Sequence, residues 1–294
     1  MTKRVGRSDA ASPRRARLRA ALSLALRVAA KPERPVIIKC LMTVLETRSI
    51  RPLRFLVTAG NTREMIDRVR DWGNSFTGNT GYAIARKLSE LGTVDLLTSN
   101  AAHVAEVERA GLGNVVRAST FRSHAELRGA LAALMARERY DAVFMTAAVA
   151  DYRPVRTYAV TERQVDAANP GVERWVVRDA QAGKVKSDHA QIAVLGERTE
   201  KLVDLFRMEW KHRGLLFKFK LEVGIDTEKL LAIGRASRTA SGADYLVANT
   251  LDMVEGERAG AYLISEGGEE FVPRTELAER LAREVVARTG AAAR

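Results

Sequence analysis

The amino-acid sequence predicts an α/β fold: a Rossmann-like parallel sheet with helices on both faces, plus a strand-rich flap or dimerisation arm. Two observations carry this prediction. From Leu53 onward, short apolar runs alternate with stretches of helical periodicity, and strands separated by helices are typical of a parallel sheet. The region from Ala150 to Glu197 breaks this rhythm, because it contains no good helix and is typical of strands and loops.

The apolar runs of the main region predict the strands Leu53–Thr58, Val94–Thr98, Val115–Ala118, Ala142–Thr146, Leu215–Leu221 and Tyr245–Ala248. Apolar residues at helical spacing predict the helices between them, near Gly81–Leu91, Ala101–Ala110, His124–Arg137, Glu200–Lys211 and Thr227–Ala240. The crossovers between parallel strands are expected to be right-handed.

The predicted arm, about residues 150–197, contains candidate strands at Glu173–Val177 and Ile192–Leu195. Long segments of this kind in compact domains usually serve a function, so we expect a flap or a dimerisation arm, with a decorated sheet edge as the alternative.

A terminal hairpin and helix complete the prediction. The hairpin pairs Ala261–Ile264 with Glu270–Val272, and the helix covers Thr275–Arg288. Together these elements predict one α/β domain over residues 53–290.

The net charge of +12 is concentrated at the start of the chain. Residues 1–41 hold eleven lysines and arginines against two acidic residues, which leaves +3 for the other 253 residues. We therefore expect residues 1–52 to be a disordered basic extension. Three roles stay open: a nucleic-acid or membrane-surface arm, a targeting segment, or a functionless extension upstream of a start at Met42. The nearly neutral remainder gives no reason to expect a nucleic-acid partner.

Cysteine content and hydropathy exclude further classes. The single cysteine, Cys40, excludes an internal disulfide framework and a cysteine-based zinc cluster, and the four histidines lack metal-ligand spacing. We predict no metal centre built from protein ligands. No apolar run reaches the ~20 residues of a membrane helix, so we expect a cytoplasmic protein without a membrane partner.

The loop from Ala59 to Gly81 is the first candidate site. Strand–loop–helix units with glycines before the helix commonly bind phosphate, because free backbone N–H groups and the helix dipole favour an anion. This loop is far longer than the glycine-rich turn of a dinucleotide site and carries Asn, Thr, Arg and Asp side chains. It is therefore predicted to shape a reaction site as well as a phosphate cradle.

Further polar residues follow other strands, whose carboxyl ends meet at one edge of the sheet. The small residues of Ala147–Pro154 would let a nucleotide lie against the backbone, while Asp151 accepts from a hydroxyl or amine or holds magnesium. The alternative is a tight turn capped by Asp151. Lys220, Glu222 and Asn249 end two more strands, so one pocket is predicted to collect all of these segments.

Lys184 and Lys186 flank Val185 with the alternation of a single strand face. Two ammonium groups that project together are unfavourable unless an anion lies opposite them, which predicts contact with a phosphate or a carboxylate. The alternative is a solvated edge strand whose lysines oppose aggregation.

Six motifs in this order resemble the phosphopantothenate–cysteine ligase family, the synthetase of coenzyme A biosynthesis. They are Val57–Arg70, Asn74–Gly81, Ala147–Pro154, Lys184–Lys186, Phe219–Glu222 and Ala243–Asn249. The resemblance covers about residues 53–288. Six ordered motifs are far more specific than any one of them.

The resemblance implies a two-step ligation. A nucleoside triphosphate, with Mg²⁺, activates the carboxylate of 4′-phosphopantothenate as an acyl-nucleotidylate and releases pyrophosphate. The amine of cysteine then displaces the nucleoside monophosphate. The resemblance also implies a homodimer whose arm crosses to the partner. No FMN is expected, because the flavin-binding half of bifunctional members is not in this sequence.

The resemblance also assigns roles to individual residues. It implies that Asn74 contacts the acyl-nucleotidylate and that Lys184 is the catalytic lysine of the flap. The implied nucleotide-binding residues are Gly60, Ser75, Thr77, Gly78, Ala147, Ala148 and Asp151. The implied substrate-binding residues are Arg63, Lys186, Lys220 and Asn249.

The sequence departs from the family pattern at two positions. Asn61 stands where many relatives carry glycine, and Asn79 stands where they carry Lys, Arg or His, which removes a cation from the phosphate loop. The nucleotide stays open between CTP and ATP. CTP is favoured because the Ala/Arg-rich tail is typical of a GC-rich bacterial gene.

Two other functions stay open. Thr77–Ala85 superficially resembles the glycine-rich turn of NAD(P)-dependent short-chain reductases. However, about twenty residues separate it from the first strand, and no Tyr is followed four positions later by Lys. The second alternative is a relative that binds nucleotide without ligating, which the change at Asn79 favours.

Overall fold

The computed structural model describes residues 52–254, 256 and 259–290. These residues belong to one structural unit that begins at Pro52. The basic extension predicted over residues 1–52 therefore lies outside the described residues except for Pro52.

The described part alternates strands and helices as the sequence predicts. The strands are β1 (Leu53–Ala59), β2 (Arg63–Met65), β3 (Asp71–Gly73), β4 (Gly92–Thr98), β5 (Val116–Thr120), β6 (Ala142–Met145), β7 (Tyr152–Val165), β8 (Glu173–Asp179), β9 (Ile192–Arg198), β10 (Leu215–Glu222), β11 (Tyr245–Thr250), β12 (Gly260–Ser265) and β13 (Gly268–Pro273). The helices are α1 (Asn79–Leu88), α2 (Ala101–Arg109), α3 (His124–Arg137), α4 (Leu202–Met208), α5 (Thr227–Ser241) and α6 (Leu277–Thr289).

An eight-stranded sheet organises the fold, in the order β13-β12-β11-β10-β6-β1-β4-β5. The strands from β11 to β5 are parallel to their neighbours, in the order of a doubly wound Rossmann fold. The hairpin β12–β13 extends this sheet with antiparallel strands. The predicted fold class is confirmed, and the strand order reverses between β1 and β6.

Helices cover both faces of the sheet with apolar side chains. Ile84 of α1 and Leu281 of α6 belong to the core on one face. Leu127 of α3 and Phe206 of α4 belong to the core on the other face. All four side chains are fully buried or nearly so, which fixes the helices that frame the strand ends.

Three aromatic rings stack across the neighbouring strands β6, β10 and β11. The ring centroids of Phe144 and Phe217 are 4.2 Å apart, and those of Phe217 and Tyr245 are 4.6 Å apart. Phe144 and Phe217 are completely buried. Such a pair adds about 0.5–1.5 kcal/mol to the effect of burial. The stack lies at the first residue of β11, two residues before Phe219 and Val247, which line the cleft described below.

A separate antiparallel sheet, in the order β8-β7-β9, forms the arm. Its longest strand, β7, has no counterpart among the predicted strands. Register shifts between Pro154 and Arg156 and between Val160 and Glu162 explain the difference, because they interrupt the alternation that identifies a strand in sequence.

Two smaller differences lie near the arm. The loop after β1 contains the short hairpin β2–β3, whose strands are too short to be recognised from a pattern. Helix α4 is shorter than predicted, and beyond its end Lys211 adopts a left-handed φ of 50°. None of the described helices combines the length and apolarity needed to cross a bilayer.

Candidate active site

An open cleft of about 670 Å³ lies beyond the carboxyl ends of β1, β6, β10 and β11. It includes the point between β1 and β6 where the strand order reverses, which is where open α/β sheets bind ligands. The predicted site residues that line it are Gly60, Ser75, Thr77, Gly78, Ala147, Ala148, Lys220 and Asn249. The structure thus brings together residues from five separate motifs of the sequence.

Glycines let the start of α1 pack directly onto the end of β1. A Cβ atom at Gly78, whose φ is +81°, would lie 2.2 Å from the backbone nitrogen of Gly60. A Cβ atom at Gly81 would lie 2.3 Å from Thr146 Oγ1 and 2.9 Å from the carbonyl oxygen of Thr58. No side chain caps α1 and its first turn carries no acidic residue, so its first N–H groups remain available to an anion in the cleft.

The chain after β6 is hydrogen-bonded to the chain after β1. The Ala148 N–H donates to the Gly60 carbonyl at 2.8 Å, and the Thr62 N–H donates to the Ala148 carbonyl at 3.2 Å. The Ala150 N–H donates to Oγ1 of the buried Thr62 at 2.8 Å. These bonds continue the pairing of β1 with β6 and hold Ala147 and Ala148 at the cleft, where small side chains leave room for a ligand.

Asn74 lies against this paired wall, outside the lining of the cleft. Its Nδ2 donates to the Ala148 carbonyl at 3.2 Å, and its own carbonyl accepts from Nδ2 of Asn61. Asn61 is held in turn by Ser99, through an N–H···Oγ bond of 2.9 Å and an Oγ–H···Oδ1 bond of 3.1 Å. Asn61 therefore connects the Asn74 loop to the end of β4.

Lys184 and Lys186 lie on an irregular loop, so the strand predicted from their alternation is wrong. Val185 between them is 2% exposed, whereas both lysines are exposed. The Val185 N–H donates to Asp67 Oδ2 at 3.1 Å, and its carbonyl accepts from Arg70 Nη2 at 2.5 Å. The alternation arises because one buried residue anchors the loop through side chains rather than through strand pairing.

The anchor depends on an ionised Asp67. Burial disfavours its charge, but three backbone N–H donors and the Arg70 guanidinium more than compensate and hold the pKa of Asp67 far below its usual range. The donors are the N–H groups of Val69, Val185 and Arg70. The lysine loop of the arm and the long loop after β1 are therefore one connected structure.

Arg63 and Asp151 lie outside the lining of the cleft. Arg63 Nε is 3.2 Å from Asp71 Oδ1, and Arg122 Nη2 is 3.5 Å from Asp71 Oδ2. The side chain of Asp151 is exposed, and its carbonyl accepts from the Thr199 N–H at 2.9 Å. No three His, Cys, Asp or Glu side chains within the described ranges lie together as a metal cage requires.

A buried histidine behind the cleft was not among the predicted site residues. His103 is 4% exposed; its Nε2 lies 3.1 Å from Asn79 Oδ1 and its Nδ1 lies 2.9 Å from Thr98 Oγ1. Burial lowers the pKa of His103, so the ring is neutral at pH 7. Its place in the sequence offers a signal, because it is the third residue of a helix that follows a strand ending at the cleft edge.

The sequence is similar to proteins named for coenzyme A biosynthesis. A family model, the DNA/pantothenate metabolism flavoprotein C-terminal domain, matches residues 50–164. The bifunctional protein CoaBC of Thermococcus kodakarensis is 30% identical over 245 residues, which are 82% of this chain and 53% of that protein. CoaBC of Mycobacterium tuberculosis is 30% identical over 204 residues, 67% of this chain and 42% of that protein. The chain thus spans about half the length of the curated relatives it matches.

Solved structures share the fold. The DNA/pantothenate metabolism flavoprotein of Streptococcus pneumoniae aligns with a TM-score of 0.64 at 23% identity, over 80% of this chain and 99% of that one. Cab2 in complex with phosphopantothenate-cysteine aligns with a TM-score of 0.60 at 16% identity, over 86% and 94% of the two chains. The sequence matches confirm the resemblance carried by the six motifs: the chain is similar to the family of the DNA/pantothenate metabolism flavoprotein C-terminal domain and to proteins named for coenzyme A biosynthesis.

Proposed function

We propose that this protein ligates 4′-phosphopantothenate to cysteine at the expense of a nucleoside triphosphate. The observation that carries the proposal is the cleft at the reversal of strand order. One cavity combines the uncapped start of α1, suited to phosphate, with the small side chains of Ala147 and Ala148, suited to a nucleoside. The match to the family model and the names of the relatives support the same chemistry.

The first step activates a carboxylate. A carboxylate oxygen of 4′-phosphopantothenate attacks the α-phosphorus, an acyl–O–P bond forms, and the bond to the pyrophosphate oxygen breaks with its electron pair leaving on pyrophosphate. The N–H groups of α1 and of the loop Ser75–Gly78 bind phosphate oxygens. The ammonium of Lys184 offsets the negative charge that develops at the phosphorus, and Asn74 orients the acyl-nucleotidylate.

The second step forms the amide. The amine of cysteine attacks the activated carbonyl, a C–N bond forms, the nucleoside monophosphate leaves with the electron pair of the C–O bond, and the amine proton passes to solvent. Because the nucleotidylate is already a good leaving group, the protein acts mainly by holding the amine and the carbonyl in reach of each other.

The remaining predicted groups bind the substrates. Two of them, Lys220 and Asn249, line the cleft. The Nζ of Lys220 is 3.0 Å from Oε1 of Glu222. Arg63, Lys186 and Asp151 complete the predicted set. We expect Mg²⁺ to enter with the triphosphate, because it retains several waters and is commonly bound through substrate phosphates and one or two carboxylates. CTP is the favoured nucleotide, with ATP as the alternative, and the reaction is proposed to take place in the cytoplasm.

We further propose that the arm forms a homodimer. Every residue of β8 is exposed, and β8 is an outer strand of its sheet. Large apolar side chains of the arm are between 40% and 60% exposed: Tyr152, Val165, Val172, Trp175, Val176, Val177, Ile192 and Leu195. An exposed apolar strand edge favours pairing with another chain, and a second copy presents the same surface.

Purified protein supplied with 4′-phosphopantothenate, cysteine, Mg²⁺ and either CTP or ATP should release pyrophosphate. We expect no pyrophosphate release when 4′-phosphopantothenate is left out. With it, release should be faster with CTP than with ATP. No release with either nucleotide would reject the ligase function. Binding of a nucleotide without release would favour the non-ligating alternative, and oxidation of a nicotinamide cofactor would favour the reductase.

A further inference from the structure

Asn79 stands at the start of α1 and contacts a buried histidine. Its Oδ1 lies 3.1 Å from Nε2 of His103, whose Nδ1 lies 2.9 Å from Thr98 Oγ1. The side chain of Asn79 is exposed and lines the cleft, whereas His103 and Thr98 are buried. A three-residue chain of contacts therefore runs from the interior to the phosphate side of the cleft.

The amide oxygen of Asn79 faces the His103 ring, and this contact sets where we place the hydrogens. An amide oxygen only accepts, so the Nε2 of His103 that faces it carries the proton. A neutral ring has one proton, so Nδ1 accepts the hydrogen bond from the Thr98 hydroxyl. Thr98 Oγ1 accepts in turn from the Asn100 N–H at 3.1 Å. The chain of donors and acceptors is satisfied in one direction, from Thr98 to Asn79.

This direction determines what Asn79 presents to the cleft. With its oxygen engaged by His103, its NH₂ group is left as a double donor, and no hydrogen bond within the described residues engages it. The competitor for Nε2 is Nδ2 of Asn100 at 3.4 Å, but that group donates to the Thr77 carbonyl at the shorter distance of 3.1 Å, and the Oδ1 of Asn100 caps α2 at Ala102. Asn79 thus adds neutral donors beside the free N–H groups of α1.

The charged residues that line the cleft are elsewhere. Lys220 is paired with Glu222, and Arg274 donates to the Val254 carbonyl. Within the described lining, the start of α1 therefore presents hydrogen-bond donors without a cation. A neutral amide can serve a phosphate only if its NH₂ rather than its oxygen faces the anion, and the contact with His103 enforces that orientation.

We propose that Asn79 is a phosphate-contacting residue of the nucleotide site and that His103 is the positioning residue that keeps its NH₂ turned toward the triphosphate. The proposal rests on the proposed function for the identity of the ligand, a nucleoside triphosphate. A buried histidine and an exposed asparagine would thus supply a neutral phosphate contact at a helix start that carries no cation within the described lining.

The experiment measures equilibrium binding of CTP, ATP and pyrophosphate by titration calorimetry, with turnover measured separately. His103→Phe keeps an aromatic ring stacked on Tyr82, whose centroid is 4.7 Å away, but removes both hydrogen bonds. His103→Gln keeps a donor in reach of Asn79. Asn79→Lys supplies its own ammonium. The matched control is His212→Phe, which removes another buried histidine, one that contacts the Leu215 carbonyl outside the cleft lining.

We expect His103→Phe and Asn79→Ala each to weaken triphosphate binding about tenfold, the loss of one hydrogen bond to a charged group. His103→Gln should recover most of that loss, and His212→Phe should leave affinity unchanged. In an Asn79→Lys background, His103→Phe should change affinity less than about twofold, because the ammonium needs no orientation. The Asn79→Lys protein should also show a steeper loss of affinity with added salt than the natural protein.

Equal losses from His103→Phe in both backgrounds would show that His103 acts only through stability, and would overturn the proposal. Unchanged affinity in Asn79→Ala would overturn it as well. Failure of the proposed function has a different signature: the natural protein binds a triphosphate, the variants lose affinity as described, and no product forms. Thermal melting identifies any variant that fails to fold, and the His103→Gln comparison then carries the test.

Discussion

The cleft and the arm are built in contrasting ways. The cleft lies on buried apolar strands. Around it, backbone hydrogen bonds join Ala148 to Gly60 and Thr62, and the Ala150 N–H donates to the Thr62 side chain. The arm exposes most of its side chains, and ion pairs such as Arg163–Glu173 and Arg156–Asp179 link its strands. Exposed pairs of this type contribute little to stability. The cleft is therefore preorganised by the body, meaning the eight-stranded sheet and the helices packed on it. The arm depends instead on its few attachments to the rest of the chain.

Those attachments join the arm to the long loop after β1. One is the buried Asp67–Val185 anchor, and another is the base of the arm, where Trp72 Nε1 donates to the Tyr152 carbonyl at 3.1 Å. The Trp72 ring lies so close to Gly196 that a Cβ atom there would be 3.1 Å away. We therefore propose that the cleft binds the nucleotide and that the arm supplies charge at the reacting phosphorus.

The largest expected effect tests whether both regions serve one reaction. Asn74→Ala at the cleft wall and Lys184→Ala on the arm should each lower product formation by at least about a hundredfold. The first removes the group proposed to orient the acyl-nucleotidylate, and the second removes the proposed stabilisation of developing charge. Pyrophosphate release gives the rate, and circular dichroism verifies the fold. Lys229→Ala, which alters an exposed lysine of α5, is the control. Normal turnover in Lys184→Ala would exclude the arm from the chemistry.

A large effect on stability should occur only in the body. Phe217→Ala removes a fully buried ring from the aromatic stack and should lower the free energy of unfolding by about 3–5 kcal/mol. Trp175→Ala, at a side chain that is 50% exposed, should lower it by no more than about 0.5 kcal/mol under conditions where the protein is monomeric. Urea titration measures both. A large loss in Trp175→Ala under those conditions would show that the arm shares the core of the body.

A moderate effect concerns assembly. Trp175→Glu should raise the dissociation constant of the proposed dimer about tenfold or more, because a charge would enter the apolar surface of the arm. Sedimentation equilibrium measures the change. Met208→Glu, which alters an apolar side chain of the body that is 69% exposed, should have no effect. A monomeric natural protein, or equal effects of the two variants, would contradict dimerisation through the arm.

The smallest expected effect is in the pH dependence of the anchor. The folded-state pKa of Asp67 is lowered, so its contribution to stability is present above its unfolded pKa of about 3.9 and is lost as the pH falls. The melting temperature of the natural protein should therefore fall more steeply between about pH 5 and pH 3 than that of Asp67→Asn. A constant difference between the two across this range would show that the charge of Asp67 does not stabilise the anchor.

The parts of the fold that follow from the sequence are those with an uninterrupted pattern. The apolar runs at Leu53 and Leu215 and the helical spacing of His124–Arg137 predict β1, β10 and α3 with little error. The strand β7 is not predicted, because its two register shifts interrupt the alternation of side chains between the two faces of a strand. Local periodicity therefore succeeds where one face is buried throughout and fails where tertiary pairing bends the strand.

The candidate site divides in the same way. The rule that ligands bind beyond strand ends is enough to group Gly60, Ala147, Lys220 and Asn249 in one cleft. The partner of Asn79 could not be derived, because His103 lies 24 positions away and meets it only through the packing of α1 against α2. The anchor of Lys184 is equally non-local, since Asp67 is 118 positions from Val185.

The hydrogen bonds that join the chain after β1 to the chain after β6 also have a kinetic consequence. The N–H groups of Ala148 and Ala150 lie outside the named strands, yet both are bonded, so their deuterium exchange should proceed through local opening of the cleft rather than through global unfolding. The exchange rates of these two amides therefore measure how often the two segments of the cleft wall separate. A ligand that bridges the two chain segments would slow their exchange while leaving that of the exposed β8 unchanged.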